Sequence, residues 1–352
     1  MVQTAELVAA PAGVVSRAIA LLPGLAVAGA VAFAASRLSI WETGAAQAWF
    51  GRPIAIAAPV IALMIGIAFH AAAARPSVTP GLSFAIKKVL RWAIALFGLN
   101  ITLSNIIGLG VGTAIMVIFA MAATVGSGLL FARLFGKGDA YGALAGAACA
   151  VCGASAALAT SSVLPDTPRR ESDTAFVVIT TNLLATFAIL AYPPLCAALG
   201  FDDRATGIFL GATIHDVAQV VGAGYSVSKE AGNIALVVKL FRVLLLLPVV
   251  LGVGWFFSAR GGDAKRAKVP APVFALMFLV FAGVNSSGLL PAIIKSALIT
   301  ASGWGLLLAL AALGLNTSIG SIVRVGPKHL AVVLCTTAVI FALPLAWILL
   351  AR

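Results

Sequence analysis

The chain has 352 residues, of which 62% are hydrophobic and 10% are charged, and its formal net charge is +12. Soluble globular domains carry about 45–50% apolar and about 25% charged residues. The composition therefore excludes a soluble enzyme, a disordered chain and a nucleic-acid-binding protein. The basic residues stand mostly in short gaps between apolar runs, which is typical of the loops of a polytopic membrane protein. The lipid bilayer is thus an expected partner, and nucleic acid is not.

Apolar stretches separated by charged residues or by Pro and Gly clusters predict a single all-α domain with about eleven transmembrane helices. In chain order the stretches are residues 17–36, 53–73, 84–107, 113–133, 140–163, 174–198, 204–226, 231–257, 270–286, 302–323 and 329–350. Two short segments, residues 39–52 and 287–297, are predicted to lie at the membrane interface. Lys and Arg are more numerous in the gaps that share a side with the N-terminus, which predicts a cytoplasmic N-terminus. On this count Arg204 lies on the N-terminal side, and Arg169 and Arg170 lie on the opposite side.

An internal repeat links the third and tenth stretches. Residues 98–110 align without gaps with residues 314–326, and both copies begin Gly-Leu-Asn, with Asn100 and Asn316 in third place. The copies are an odd number of crossings apart, so they run in opposite directions. Inverted repeats are typical of secondary transporters, whose binding sites lie near the midplane. Asn100 and Asn316 are therefore candidate site residues that supply symmetric hydrogen bonds, either to a substrate or between helices. We expect repeat halves of roughly 17–165 and 204–350; chance similarity among apolar helices is the alternative.

Ionisable side chains fall in the middle of the seventh stretch. An unpaired ionisable group there costs about 2.5–3.5 kcal/mol or more, so His215 and Asp216 indicate a site, with Gln219 one turn along the same face. Because imidazole titrates near neutral pH, we expect His215 to take up or release a coupled proton. The alternative is that the His-Asp pair only fixes helix contacts.

The eighth stretch carries two cations, Lys239 and Arg242, three residues apart and so on one helix face. Two buried cations against the single carboxylate of Asp216 indicate an anionic substrate. We expect Asp216 to pair with one of these cations when no anion is bound. The alternative is a purely structural Asp216–Arg242 ion pair, with Lys239 extending to the interface.

The fifth stretch is rich in small residues and is a candidate for a broken helix. Its segment Cys152, Gly153 and Ser155 would expose backbone amides that bind anionic groups. Thr180, Thr181 and Asn182 add a polar patch in the sixth stretch. Although Cys149 and Cys152 form a CxxC, no second pair or clustered His accompanies them, so neither a metal nor a cofactor is expected.

Three motifs together resemble the YeiH family, bacterial inner-membrane proteins described as sulfate exporters. They are the run from Gly146 to Ser155, the run from Gly211 to Gly224, and Lys239-Leu-Phe-Arg242. The resemblance covers nearly the whole chain. It implies membership of the sodium/proton antiporter and bile-acid symporter superfamily, with two inverted halves and two broken helices that cross near the midplane. The chain departs from the family in having His215-Asp216 in place of His-Glu, and Cys149 in place of Ile.

The expected function is secondary transport of a small anion, such as sulfate, sulfite or a sulfonate, with a proton as the coupled ion. The alternatives are an anion channel or non-transporting membrane protein, and an intramembrane enzyme. The sequence contains no GxSxG, HExxH or Walker A motif, so we expect no catalytic residue and no ATP-driven transport by this chain alone. A homodimer is one possible oligomeric state.

Overall fold

The computed structural model describes residues 14–50, 58–259, 272–317 and 327–351, and all regular structure within these ranges is helical. The helices are α1 (Val14–Phe50), α2 (Ala58–Ala68), α3 (His70–Ala73), α4 (Thr79–Phe84), α5 (Leu90–Phe97), α6 (Leu103–Ile107), α7 (Gly110–Leu134), α8 (Asp139–Ala150), α9 (Ala154–Ser161), α10 (Arg170–Ala198), α11 (Asp203–Thr213), α12 (Val217–Val227), α13 (Lys229–Leu244), α14 (Leu246–Ser258), α15 (Val273–Ser287), α16 (Ala292–Asn316) and α17 (Pro327–Leu350). A π-helical turn, Ala85–Val89, joins α4 to α5, and a 3-10 turn, Gly98–Asn100, ends α5. In the described ranges, six helical segments are long and apolar enough to span a membrane. The prediction of an all-α polytopic membrane protein is confirmed.

Neither segment predicted to lie at the interface forms a separate element. Residues 39–50 continue α1, which at 1.5 Å per residue is about 55 Å long and exceeds the hydrocarbon core of about 30 Å. Residues 51–52 lie outside the described ranges. In the second segment Ser287 ends α15, Gly288 adopts a left-handed conformation (φ 68°), and residues 292–297 are the first turns of α16.

The helices form two packed groups. In the first, which we call the panel, α16 packs against α1, α2 and α5, and α15 packs against α5; α3, α4 and α6 belong to the same group. In the second, which we call the bundle, α7 packs against α8 and α17, and α13 packs against α11 and α12; α9, α10 and α14 complete it. The two groups meet mainly where α12 contacts α2 and α16, and where α13 contacts α6 and α15.

The fifth apolar stretch turns back in the bundle instead of crossing it. At the start of α8, Tyr141 donates its hydroxyl hydrogen to the His329 carbonyl oxygen (2.9 Å), and His329 Nε2 lies 3.6 Å from Asp173 Oδ1 at the start of α10. At the end of α9, Ser161 Oγ accepts a hydrogen bond from Thr174 Oγ1 (3.0 Å), also at the start of α10. Both ends of α8–α9 therefore lie on one side, and we call this re-entrant pair hairpin 1.

The seventh stretch turns back in the same way. A Cβ built on Gly207 in α11 would lie 2.8 Å from the Ala231 carbonyl oxygen, and one on Gly224 in α12 would lie 2.8 Å from Gly232 Cα. The beginning of α11 and the end of α12 thus both pack against the first turns of α13. Because these contacts are backbone to backbone, only small residues fit. We call the re-entrant pair α11–α12 hairpin 2.

The two hairpins enter the bundle from opposite sides, because α10 crosses between their bases. Gly24 of α1 packs against Val78, just before α4, so α4 starts on the N-terminal side; the chain then crosses along α4–α6 and returns along α7 to hairpin 1. Arg169 and Arg170 therefore lie on the N-terminal side. Arg204, at the base of hairpin 2, lies on the opposite side. The sequence-based placement of these three residues is wrong, because it counted both hairpins as crossings.

The internal repeat has a structural counterpart. Each copy ends a helix at its asparagine, Asn100 and Asn316, and the next residue is extended. A polar side chain from a neighbouring helix bonds a backbone carbonyl oxygen beside each of these helix ends. Asn285 of α15 donates to the Ile101 oxygen (2.9 Å), and His70 of α3 donates through Nδ1 to the Leu315 oxygen (2.8 Å). Helices α2, α5 and α7 thus correspond to α15, α16 and α17, running in the opposite direction. Residues 318–326 of the second copy lie outside the described ranges.

The hairpins extend this correspondence. Hairpin 1 followed by α10 matches hairpin 2 followed by α13 and α14, again with inverted direction. In the first half the hairpin unit follows its three helices, whereas in the second half it precedes them. The two repeat copies, in the third and tenth apolar stretches, are seven stretches apart. This offset arises because both hairpins lie between the copies and neither of them crosses the membrane, so the copies are five crossings apart.

Candidate functional site

The tips of the two hairpins, residues 151–153 and 214–216, meet inside the bundle. Hairpin 1 turns at Gly153, whose φ of 63° is a conformation that favours glycine. A Cβ at this position would lie 3.1 Å from Thr181 Oγ1 and 3.8 Å from His215 Cβ. Hairpin 2 turns where Ile214 and Asp216 adopt extended backbone conformations. The broken helix predicted from the small residues of the fifth stretch is present.

Lys239 of α13 contacts both tips and is fully buried. Its Nζ lies 2.6 Å from the Val151 oxygen on hairpin 1, and 2.9 Å and 2.6 Å from the Ile214 and His215 oxygens on hairpin 2. A carbonyl oxygen can only accept, so three such contacts require three N–H donors. Only the ammonium form supplies them, and Lys239 is therefore positively charged in this arrangement.

Arg242, one turn further along α13, is also fully buried and contacts the same tips. Its guanidinium donates to the oxygens of Ala150 (3.0 Å) and Cys149 (2.9 Å) at the end of α8. It also donates to Gly211 (3.0 Å) and Ile214 (3.1 Å) at the end of α11. The last carbonyls of a helix lack intrahelical partners and carry partial negative charge, so the two cations cap both helix C-termini.

Asp216 caps the start of α12 and does not pair with the cations. Its Oδ1 accepts from the backbone amides of Ala218 (2.8 Å) and Gln219 (3.4 Å). Among the described residues, the ion pairs do not include Asp216 with Lys239 or Arg242. The expected pairing is therefore wrong for this state. The physical reason is that the amides of α12 are local donors to the carboxylate, while backbone carbonyls satisfy both cations.

His215 joins the tips to each other and to α17. Its Nδ1 lies 3.2 Å from the Cys149 oxygen, which can only accept, so Nδ1 carries the hydrogen. Its Nε2 lies 3.1 Å from Thr337 Oγ1 and therefore accepts from that hydroxyl in the neutral imidazole. Cys149 Sγ lies 3.6 Å from the same hydroxyl. Neutral His215 has both ring nitrogens satisfied and is 2% exposed.

The start of α9 is the accessible part of the tips. The residue before this helix is Gly153, which has no side chain to cap it, so the amides of Ala154 and Ser155 keep donor capacity. Ala154 is half-buried and Ser155 is exposed, while Cys152 beside them is buried, and its thiol interacts with the Ala156 amide. Gln219 lies fully buried on α12, where its Nε2 donates to Thr186 Oγ1 (2.9 Å). Its Oε1 has no hydrogen-bond partner among the described residues.

The structure brings most of the predicted site residues together. The tips, the first turns of α9 and α12 that follow them, and α13 contribute Cys152, Gly153, Ser155, His215, Asp216, Gln219, Lys239 and Arg242. Asn100 and Asn316 lie in the panel, and within the described ranges neither side chain bonds to the tips. Sequence reasoning missed Thr337, because a single threonine in an apolar helix carries no signal of its own. In the described part of the chain, no three His, Cys, Asp or Glu side chains cluster as metal ligands.

This fold and site define a polytopic membrane protein in which two opposed re-entrant hairpins meet around a buried pair of cations. The chain belongs to the family described as conserved hypothetical protein 698, whose model matches residues 23–333. It is 42% identical over 327 residues to a UPF0324 membrane protein of Rhizobium meliloti, an alignment that covers 92% of this chain and 91% of the relative. It is 40% identical over 319 residues to the UPF0324 membrane protein TauZ of Paracoccus pantotrophus, covering 90% and 91%. No solved structure matches the chain.

Proposed function

We propose that this protein is a secondary transporter that carries a small anion, with sulfur oxyanions and sulfonates as the substrate class and a proton as the coupled ion. It acts as a carrier and not as an enzyme. Its proposed location is the bacterial inner membrane with the N-terminus in the cytoplasm, since basic loops stay on that side. The observation that carries the proposal is an uncompensated positive charge buried where the hairpin tips meet.

The charge count supports an anion over a cation. Lys239 and Arg242 contribute two positive charges, and the Asp216 carboxylate, which accepts from two backbone amides, contributes one negative charge. The partial charges of the helix ends cancel, because two C-termini and two N-termini meet at the tips. The centre therefore keeps about one positive charge in a low-dielectric region, where an unpaired charge is costly. An anion bound at the start of α9 neutralises it.

The opposed hairpins support alternating access. Each hairpin separates the buried centre from one side of the membrane, and the inverted repeat makes the two sides structurally alike. The bundle holds both tips, whereas the panel meets it along α12 and α13. We propose that displacement of the bundle against the panel exposes the centre to each side in turn. Once protonated, His215 Nε2 can no longer accept the hydrogen bond from the Thr337 hydroxyl. We propose that this change of contact links proton uptake to the movement of the anion.

The relatives support a sulfonate as one test substrate, because two of them carry the name TauZ. Purified protein in proteoliposomes tests the proposal through counterflow of labelled sulfate or taurine. With unlabelled substrate inside, a carrier accumulates external label transiently above its equilibrium level. Lys239→Gln removes one central cation and should abolish this overshoot. Lys295→Gln, an equal charge change at a half-buried position on α16 and away from the tips, should retain it. Equilibration without an overshoot would identify a channel, and no flux of any anion would refute transport.

A further inference from the structure

A cavity of about 400 Å³ opens on the side opposite the N-terminus, between the panel and the bundle. Its volume is in the range of small-molecule sites. We call it the vestibule. Its polar lining comes from α6, the base of hairpin 2 and the start of α13, and comprises Ser104, Asn105, Arg204, Lys229, Glu230 and Asn233.

Hydrogen-bond donors outnumber free acceptors in this lining, because the side-chain oxygens of both asparagines are already used. Asn105 Oδ1 accepts from the Thr102 amide (3.1 Å) and from its hydroxyl, which leaves the Asn105 Nδ2 hydrogens as donors. Asn233 Oδ1 accepts from the Tyr225 hydroxyl, which likewise leaves the Asn233 Nδ2 hydrogens as donors. Within the described ranges neither Nδ2 has a partner.

The two basic residues add charged donors. Arg204 Nη2 donates to the carbonyl oxygens of Gly108 and Leu109, both at 3.0 Å, which fixes the guanidinium and leaves its Nε and Nη1 hydrogens. Lys229 has no hydrogen bond or ion pair among the described residues. Donors held at fixed positions, with a guanidinium among them, match the several acceptor oxygens of a sulfate or sulfonate. Glu230 is the one carboxylate in the lining and reduces the local charge to about +1.

The vestibule extends inward along α13, the helix that carries the two central cations. Its apolar part is formed by Ile101, Ile234 and Val237. Val237 precedes Lys239 by two residues on α13, which is about 3 Å along the helix axis and about 200° around it. The apolar part therefore lies near the depth of the central cation but on another face of α13. An anion in the vestibule therefore reaches about the depth of the centre and is separated from it by α13.

We propose that the vestibule is a second oxyanion-binding subsite, in which the substrate docks before it passes to the hairpin tips. This rests on the proposed function and adds a distinct site to it. The subsite recognises the oxyanion through Arg204, Lys229 and the two asparagine amides. The negative charge of Glu230 repels an anion, so it weakens binding and disfavours anions that carry more negative charge.

The test measures the half-saturating sulfate concentration for counterflow, separately from each side of oriented proteoliposomes. Lys229→Gln and Arg204→Gln should each raise it about three- to tenfold from the vestibule side only, with the maximal rate retained, because steering by surface charge acts on association. Glu230→Gln should lower it by a similar factor. Lys295→Gln, on the same side but outside the vestibule, is the matched control and should leave it unchanged. The differences should shrink at high ionic strength.

Unchanged half-saturation from the vestibule side in both Lys229→Gln and Arg204→Gln would overturn the subsite. If the wild type shows no counterflow, the transport proposal fails, and equilibrium binding of labelled sulfate to the purified protein then decides the subsite. The Arg204→Gln, Lys229→Gln double variant should lose binding that Lys295→Gln retains. Equal binding in these two proteins, or no sulfate binding to the wild type, would refute the subsite.

Discussion

Replacing Arg242 with lysine keeps the positive charge but removes the planar group that reaches both hairpin tips. Four backbone oxygens accept from the guanidinium. The oxygens of Cys149 and Ile214 also contact His215 and Lys239, respectively. The other two, on Ala150 and Gly211, have Arg242 as their side-chain donor in the described structure. They belong to different hairpins.

The magnitude follows from those two oxygens. A lysine side chain is shorter and ends in a single ammonium group, so it bonds at most one of these two oxygens. At least one buried carbonyl then loses its donor, which should lower the free energy of unfolding by about 1–3 kcal/mol. The matched control is Arg133→Lys. Arg133 makes a bidentate ion pair with Asp139 at 2.7 Å and 2.8 Å, and its side chain is 53% exposed. Loss of such an exposed pair should cost little stability, because water and salt screen it.

Two measurements test this prediction. Unfolding of the purified variants in detergent should show a larger loss of stability for Arg242→Lys than for Arg133→Lys. Amide hydrogen exchange should increase at residues 149–153 and 211–216 in Arg242→Lys and not in the control, because the lost bonds hold these segments. Equal unfolding and unchanged exchange at the tips would show that the guanidinium does not hold the hairpins together.

Three further predictions concern the hairpins. Gly153→Ala should destabilise the protein by about 1–3 kcal/mol, because φ is 63° there, whereas Gly126→Ala on α7, where a Cβ has open space, should be neutral or stabilising. His215→Gln keeps hydrogen bonding but cannot titrate, so a pH gradient should no longer drive substrate accumulation while exchange survives. Cysteines introduced into a cysteine-free background in place of Arg169 and Lys229 should react with an impermeant maleimide from opposite sides, the first from the N-terminal side.

Each of these has a contrary result. Equal stability of the two alanine variants would mean that the hairpin 1 tip relaxes without strain. Full pH-driven uptake by folded His215→Gln would place the proton path elsewhere. Labelling of both introduced cysteines from the same side would show that the fifth and seventh stretches do not turn back as described.

The residues at the tips could be found from the sequence, but their connections could not. Ionisable side chains in apolar stretches are conspicuous, so Lys239 and Arg242 stood out, and their spacing placed them on one face. Their partners are backbone carbonyls at helix ends, which carry no residue-specific signal. The sequence therefore predicts that Asp216, the one clear carboxylate within these apolar stretches, pairs with a cation, whereas in the structure its carboxylate caps α12.

Hydropathy also could not separate a crossing from a hairpin. Residues 140–163 are apolar over a length that spans the membrane if the segment is straight. The turn at Gly153 divides it into helices of 12 and 8 residues, each too short to cross. Only long-range contacts, such as Ser161 with Thr174, reveal the return. The misplacement of Arg204 followed directly from this ambiguity.

Because Lys239 and Arg242 each bond to both hairpins, neither tip withdraws without affecting the other. Separating one tip breaks at least two charged hydrogen bonds, which are worth about 1.5–3 kcal/mol each. At about 1.4 kcal/mol per factor of ten, a conformation open to both membrane faces would be populated by roughly one molecule in a hundred to one in ten thousand. Under the proposed transport function, the cation pair would therefore limit passive leak of ions through the protein between transport cycles.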